Sequence, residues 1–171
     1  MINKRLITLI LITLFLINGP VQAQSVPVDP MTRVEASQMD KRAKILQAYL
    51  AKYNSPLQYQ AQNFVDAADE HNLDWRLVAA ISGVESTFGK FTPGGYNAWG
   101  WGVYGNQALG FKSWKDGINT VSPGLRENYF NKGLTDPYSI NKVYAASSHW
   151  GANVTYFLQD MEKFEKVYED N

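Results

Sequence analysis

Between residues 83 and 105 the chain reads GVESTFGKFTPGGYNAWGWGVYG, one carboxylate followed by glycines and aromatic rings. Glu85 is the residue of this stretch that can do acid–base chemistry. Helical spacing sets it one turn after Ile81 and Ser82 and two turns after Val78, on a face of apolar and small residues. Partial desolvation there favours the neutral acid, and the negative end of the helix dipole acts in the same direction. A carboxylic acid that stays protonated near neutral pH is what a leaving oxygen needs as proton donor. The competing assignment is a solvated helix-end charge paired with Lys90 or Arg76.

Phe91, Tyr96, Trp99, Trp101, Tyr104 and Phe111 follow closely, interleaved with glycine. Exposed flat rings beside an acid form a surface on which sugar rings stack, with Asn97 and Ser86 offering polar contacts to hydroxyl or acetamido groups. Roughly half of the rings are expected instead in a small hydrophobic core under the loop. Stacking on single-stranded nucleic acid needs a basic groove, and only Lys90 and Lys112 flank the segment.

The elements that position these groups read as helices. Residues 32–53 form a charged, amphipathic first helix. Ser55-Pro56 starts a second, running to about His71. Asp74 caps a third, Trp75 to about Ser86, apolar nearly all round and therefore buried. Ser113 and Asp116 open a fourth, which Pro123-Gly124 is expected to kink or interrupt. A short helix follows Asp136-Pro137, and a last one, capped by Ser147 or Ser148, carries the apolar stripe Trp150, Val154, Phe157, Met161, Phe164 and Tyr168. The glycine density from Thr87 to Lys112 excludes a regular helix and predicts loops with at most one short hairpin. The expected fold is mainly α with one irregular aromatic lobe.

Residues 1–23 read as a signal peptide: Lys4 and Arg5, an apolar run from Leu6 to Ile17, and Val21-Gln22-Ala23 before the cut. The run falls short of the roughly 18 residues a spanning helix needs, so an uncleaved anchor is the lesser alternative. Residues 24–30, with two prolines, read as a linker, and 31–171 as a single domain. Cleavage removes Lys4 and Arg5 and no acid, so the mature net charge is −2, from 14 basic and 16 acidic residues. That balance makes no electrostatic case for nucleic acid or an anionic membrane. The absence of cysteine excludes disulfides and thiolate chemistry, and with only His71 and His149 no metal site is expected.

Glu85-Ser86 closing an apolar helix, then Gly89, then Tyr96-Asn97-Ala98-Trp99-Gly100, then the helix opened by Ser113-Trp114-Lys115-Asp116-Gly117-Ile118, resembles the bacterial lysozyme-like glycosidases of the glucosaminidase and lytic transglycosylase type. Val143-Tyr144-Ala145 resembles their tyrosine-alanine motif, and the likeness covers roughly residues 60–160. It implies a helical lysozyme-like fold with a cleft and cleavage of the β-1,4 glycan backbone of peptidoglycan; with the signal peptide, the expectation is a monomer without cofactor, exported across a bacterial membrane. Glu85 would be the general acid. Ser86, Tyr96, Asn97 and Tyr144 would line the cleft, with the Tyr144 hydroxyl toward the reacting sugar and Trp99 and Trp101 as stacking or wall residues.

Glycosidases commonly use two carboxylates, yet no Asp or Glu occurs between Glu85 and Asp116, and Asp116 is explained as the cap of its own helix. A one-acid site fits a substrate-assisted hydrolase, and equally a lytic transglycosylase, in which a muramyl hydroxyl attacks internally. Two alternatives stand beside this expectation. One is a non-catalytic glycan-binding envelope protein on the same fold; the other is an exported helical interaction protein with no glycan role.

Overall fold

The computed structural model describes residues 38–92, 94–102 and 109–170, so the signal-peptide and linker assignments lie outside the described residues; residues 38–40 are not helical, and the helix expected over 32–53 is seen only from Lys41 to Ala51. Asp40 accepts the backbone N–H of Arg42 at 2.7 Å and starts α1, Lys41–Ala51. Ser55 accepts the N–H of Leu57 at 3.0 Å and opens the 3₁₀ turn Pro56–Gln60, which runs into α2, Ala61–Glu70. The second expected helix is therefore a 3₁₀ turn followed by an α-helix.

Asp74 accepts the N–H of Arg76 at 2.9 Å, and α3 spans Leu77–Ser86. Every residue from Leu77 to Gly83 is buried, as a helix apolar on all sides requires. It packs against α4, Trp114–Asn128, and against α6, Trp150–Glu169; the short α5, Pro137–Tyr144, packs on α6. Asp136 and Ser139 form a capping box at the start of α5, and His149, not a serine, stands at the N-cap of α6.

The expected break at Pro123-Gly124 is absent: α4 runs through both residues. Proline inside a helix costs about 3 kcal/mol through the lost N–H and the crowding of the preceding turn. Burial of Ile118, Val121 and Leu125 on both sides of it holds the helix together. Near its end Arg126 donates to the carbonyl of His71 at 2.7 Å and to that of Asn72, tying α4 to the end of α2. The protein is mainly helical, with no strand among the described residues, and residues 103–108, where a hairpin could fall, lie outside them.

Candidate active site

Two non-glycine residues with left-handed backbone, Thr87 at φ +52° and Phe88 at φ +57°, end α3 directly after Glu85 and Ser86. Such conformations cost on the order of 1 kcal/mol each and need surroundings that enforce them. Here Phe88 is fully buried, its ring 4.6 Å from Tyr53 and 4.9 Å from Phe157, and its carbonyl accepts the Ser55 hydroxyl at 2.7 Å. The Ser86 hydroxyl donates to Ser82 and Ala98 carbonyls at 2.9 and 2.8 Å and accepts the Gly89 N–H at 2.8 Å. Ser86 is thus a buried clamp between the helix end and the aromatic loop, not a wall of a cleft.

Asn97 has the same character. It is fully buried, donates to the carbonyls of Trp101 and Leu109 at 2.8 Å each, and accepts the N–H groups of Trp99 and Trp101 at 3.2 and 3.1 Å. All the hydrogen-bonding capacity of its amide is spent on the loop. Trp99 is also fully buried, donating to the Val78 carbonyl at 2.9 Å. Its ring rests where Gly117 of α4 has no side chain. Phe111 is buried against Trp99, while Phe91 and Tyr96 are exposed, Tyr96 with its ring edge on Trp114 at 5.0 Å; Tyr104 lies outside the described residues.

Glu85 occupies the last turn of α3, half-buried. Trp150 donates its indole N–H to Oε1 at 2.6 Å, across 65 residues of chain. Burial pushes the Glu85 carboxyl above its ordinary value of 4.5, and the indole bond, which favours the anion, offsets part of that rise. Arg76 does not pair with Glu85; it pairs with Asp74 at 2.8 Å and lies 3.9 Å from Glu165.

Oε2, the other oxygen, lies against Gly100: a Cβ there would come within 2.8 Å of it. Gly100, at φ +59°, forms the wall of a cleft of about 390 Å³ together with Trp101, Gly102, Asn128, Tyr129, Val143 and Tyr144. Trp101 reaches this wall because Gly124 of α4 leaves room for its indole. Tyr144 stacks on Trp150 at 4.6 Å and 25°, and its ring centroid is 5.9 Å from that of Trp101. Its hydroxyl donates to the Trp99 carbonyl at 2.6 Å, so the proton expected to face a sugar is committed to the loop. Burial, and then the Glu85 charge, hold that phenol protonated well above its usual range.

Of the residues expected at the site, the structure brings Glu85, Trp101 and Tyr144 together around Gly100, and sets Ser86, Asn97 and Trp99 in the layer that holds them. The sequence pattern places Trp150 only in the apolar stripe of the last helix. A clue was its residue type, since a buried indole N–H needs an acceptor. Among the described residues that line the cleft none is an acid, and Asp116 accepts the Lys112 N–H at 2.9 Å at the start of α4. Among the described residues no group of three or more His, Asp or Glu side chains could hold a metal ion. The chemistry available is proton exchange by a carboxyl whose affinity for its proton is raised by burial, beside an aromatic cleft with no charged side chain among its described lining residues. Neither a protein-family model nor a curated protein matches the chain.

Proposed function

We propose that this protein is a lysozyme-like glycosidase that acts after export on the β-1,4 glycan backbone of peptidoglycan, with Glu85 as general acid and then base. The observation that carries this is the half-buried Glu85 carboxyl, shifted toward its neutral form, beside the Gly100 wall of an aromatic cleft that has no acid in its lining. Flat rings such as Trp101 suit the apolar faces of sugars, and a neutral lining suits uncharged N-acetylhexosamines. Glu85 gives its proton to the glycosidic oxygen as the C1–O bond breaks and the bonding electron pair passes to that oxygen. The carboxylate left behind takes a proton from the hydroxyl that then bonds to C1. That hydroxyl comes from water in a glucosaminidase-type hydrolysis and from the muramyl sugar itself in a lytic transglycosylase.

Digestion of purified sacculi by the wild type and by Glu85→Gln tests the assignment. Wild type is expected to release muropeptides whose masses report either reducing or anhydromuramyl ends, and Glu85→Gln to bind sacculi without release. Undiminished release by Glu85→Gln overturns the role of Glu85. Saturable binding with no release by the wild type replaces the enzyme by a glycan-binding envelope protein.

A further inference from the structure

We infer that Trp150 is a positioning residue that keeps the transferable proton of Glu85 on Oε2, the oxygen beside the cleft wall. The consequence for catalysis rests on the glycosidase assignment above; the placement of the proton does not. An indole N–H can only donate, so Oε1, at 2.6 Å from it, is an acceptor whether Glu85 is charged or neutral. A hydroxyl oxygen is the weaker acceptor, so in the neutral acid this short bond favours the proton on Oε2, the atom against Gly100. Without that donor the two oxygens are interchangeable, because the terminal torsion of a glutamate is broad and two-fold. Half of the protonated carboxyls would then carry the proton on the side away from Gly100.

The donor itself is held on three sides. Trp150 is the first residue of α6 and only 3% exposed. The N–H of the following residue, Gly151, donates to the buried Asn141 side chain at 3.0 Å, and Gly151 has no Cβ where α5 passes closest, 2.9 Å from the Pro137 carbonyl oxygen. Tyr144 covers the indole face and is anchored in turn on Trp99. The same bond serves the second half of the reaction, since a charge-assisted donor steadies the carboxylate formed when the proton leaves. Trp150 thus acts in both protonation states of Glu85 from behind the described cleft lining, of which it is not a member.

Two measurements test this. In protein labelled with ¹⁵N at its five tryptophans, one indole N–H resonance is expected to move with pH as Glu85 titrates, and to stand still in Glu85→Gln. Trp150→Phe, which keeps a ring against Tyr144 but has no N–H, is expected to lower kcat on sacculi roughly tenfold or more with KM retained. It also moves the high-pH limb of the rate profile upward by about half a unit or more, because the bond that favoured the anion is gone. No titrating indole, or a Trp150→Phe profile lower in height with its limb unmoved, overturns the inference. The indole measurement needs no variant of Trp150, so misfolding of Trp150→Phe leaves it decisive. An inert wild type with a titrating indole sinks the glycosidase assignment and supports the proton placement.

Discussion

Glu85 and Gly100 share one small volume: a methyl group on Gly100 would sit 2.8 Å from the Glu85 Oε2 and 3.3 Å from its Cδ. Gly100 also holds φ +59°, where a side chain is strained. Gly100→Ala should therefore cost about 1–2 kcal/mol of stability from the backbone alone. If Glu85 is the proposed general acid, it should also lower turnover of sacculi by much more than its modest shift in urea midpoint implies, because the displaced carboxyl is then the reacting group. Unfolding curves and initial rates on the same preparation check both; full activity in Gly100→Ala removes Gly100 from the site.

Glu85 also carries a stability cost that depends on pH. Its folded pKa lies above the 4.5 of the free side chain, so the folded state binds the proton more tightly than the unfolded chain. The corresponding stabilisation is complete below pH 4.5 and is lost as pH rises through the folded value. Glu85→Gln keeps an acceptor for Trp150 and has no proton to lose. Its Tm relative to wild type should rise between acid and neutral pH, and a difference in Tm flat across that interval would place Glu85 in an unperturbed setting.

How much of this was legible in the sequence differs from residue to residue. Periodicity placed the buried third helix correctly and put Glu85 on its apolar face, because burial of α3 depends on local composition. Polarity and motif position both point Ser86 and Asn97 at sugar contacts, whereas the structure spends both on backbone groups of the loop. Composition cannot distinguish a polar side chain facing a ligand from one facing a carbonyl across a turn. Pro123 was expected to break α4, but intrinsic propensity gave way to tertiary burial around it. The bond between Trp150 and Glu85 spans 65 residues, and no local pattern reports it.

Gly124 offers a test in which the usual sign is reversed. In an open helix, glycine to alanine stabilises by about 1 kcal/mol. Here the added methyl meets the six-membered ring of Trp101, with a carbon of that indole 2.9 Å away and another closer still. Gly124→Ala should lower the urea midpoint rather than raise it, and should shift Trp101 in the cleft, visible in near-ultraviolet circular dichroism. A stabilised Gly124→Ala with an unchanged aromatic spectrum would mean that Trp101 does not rest on α4.

Asn97 separates holding the loop from binding the glycan. Its amide donates to two backbone carbonyls and accepts two backbone N–H groups while fully buried. Asn97→Asp keeps size and both acceptors but turns the oxygen that replaces Nδ2 toward the carbonyls of Trp101 and Leu109. Leaving these two part-buried carbonyls without their donors costs at most about 1–3 kcal/mol apiece, and a charge beside them adds to it. The carboxyl introduced there is expected to have a folded pKa above its unfolded one, so Asn97→Asp should be least damaging in acid and lose stability as pH rises through that folded value. A residue that served only the sugar would leave the unfolding curve untouched and raise KM. Urea unfolding of Asn97→Asp at pH 4 and pH 7, beside KM on sacculi, distinguishes the two, and the four loop bonds require the first outcome.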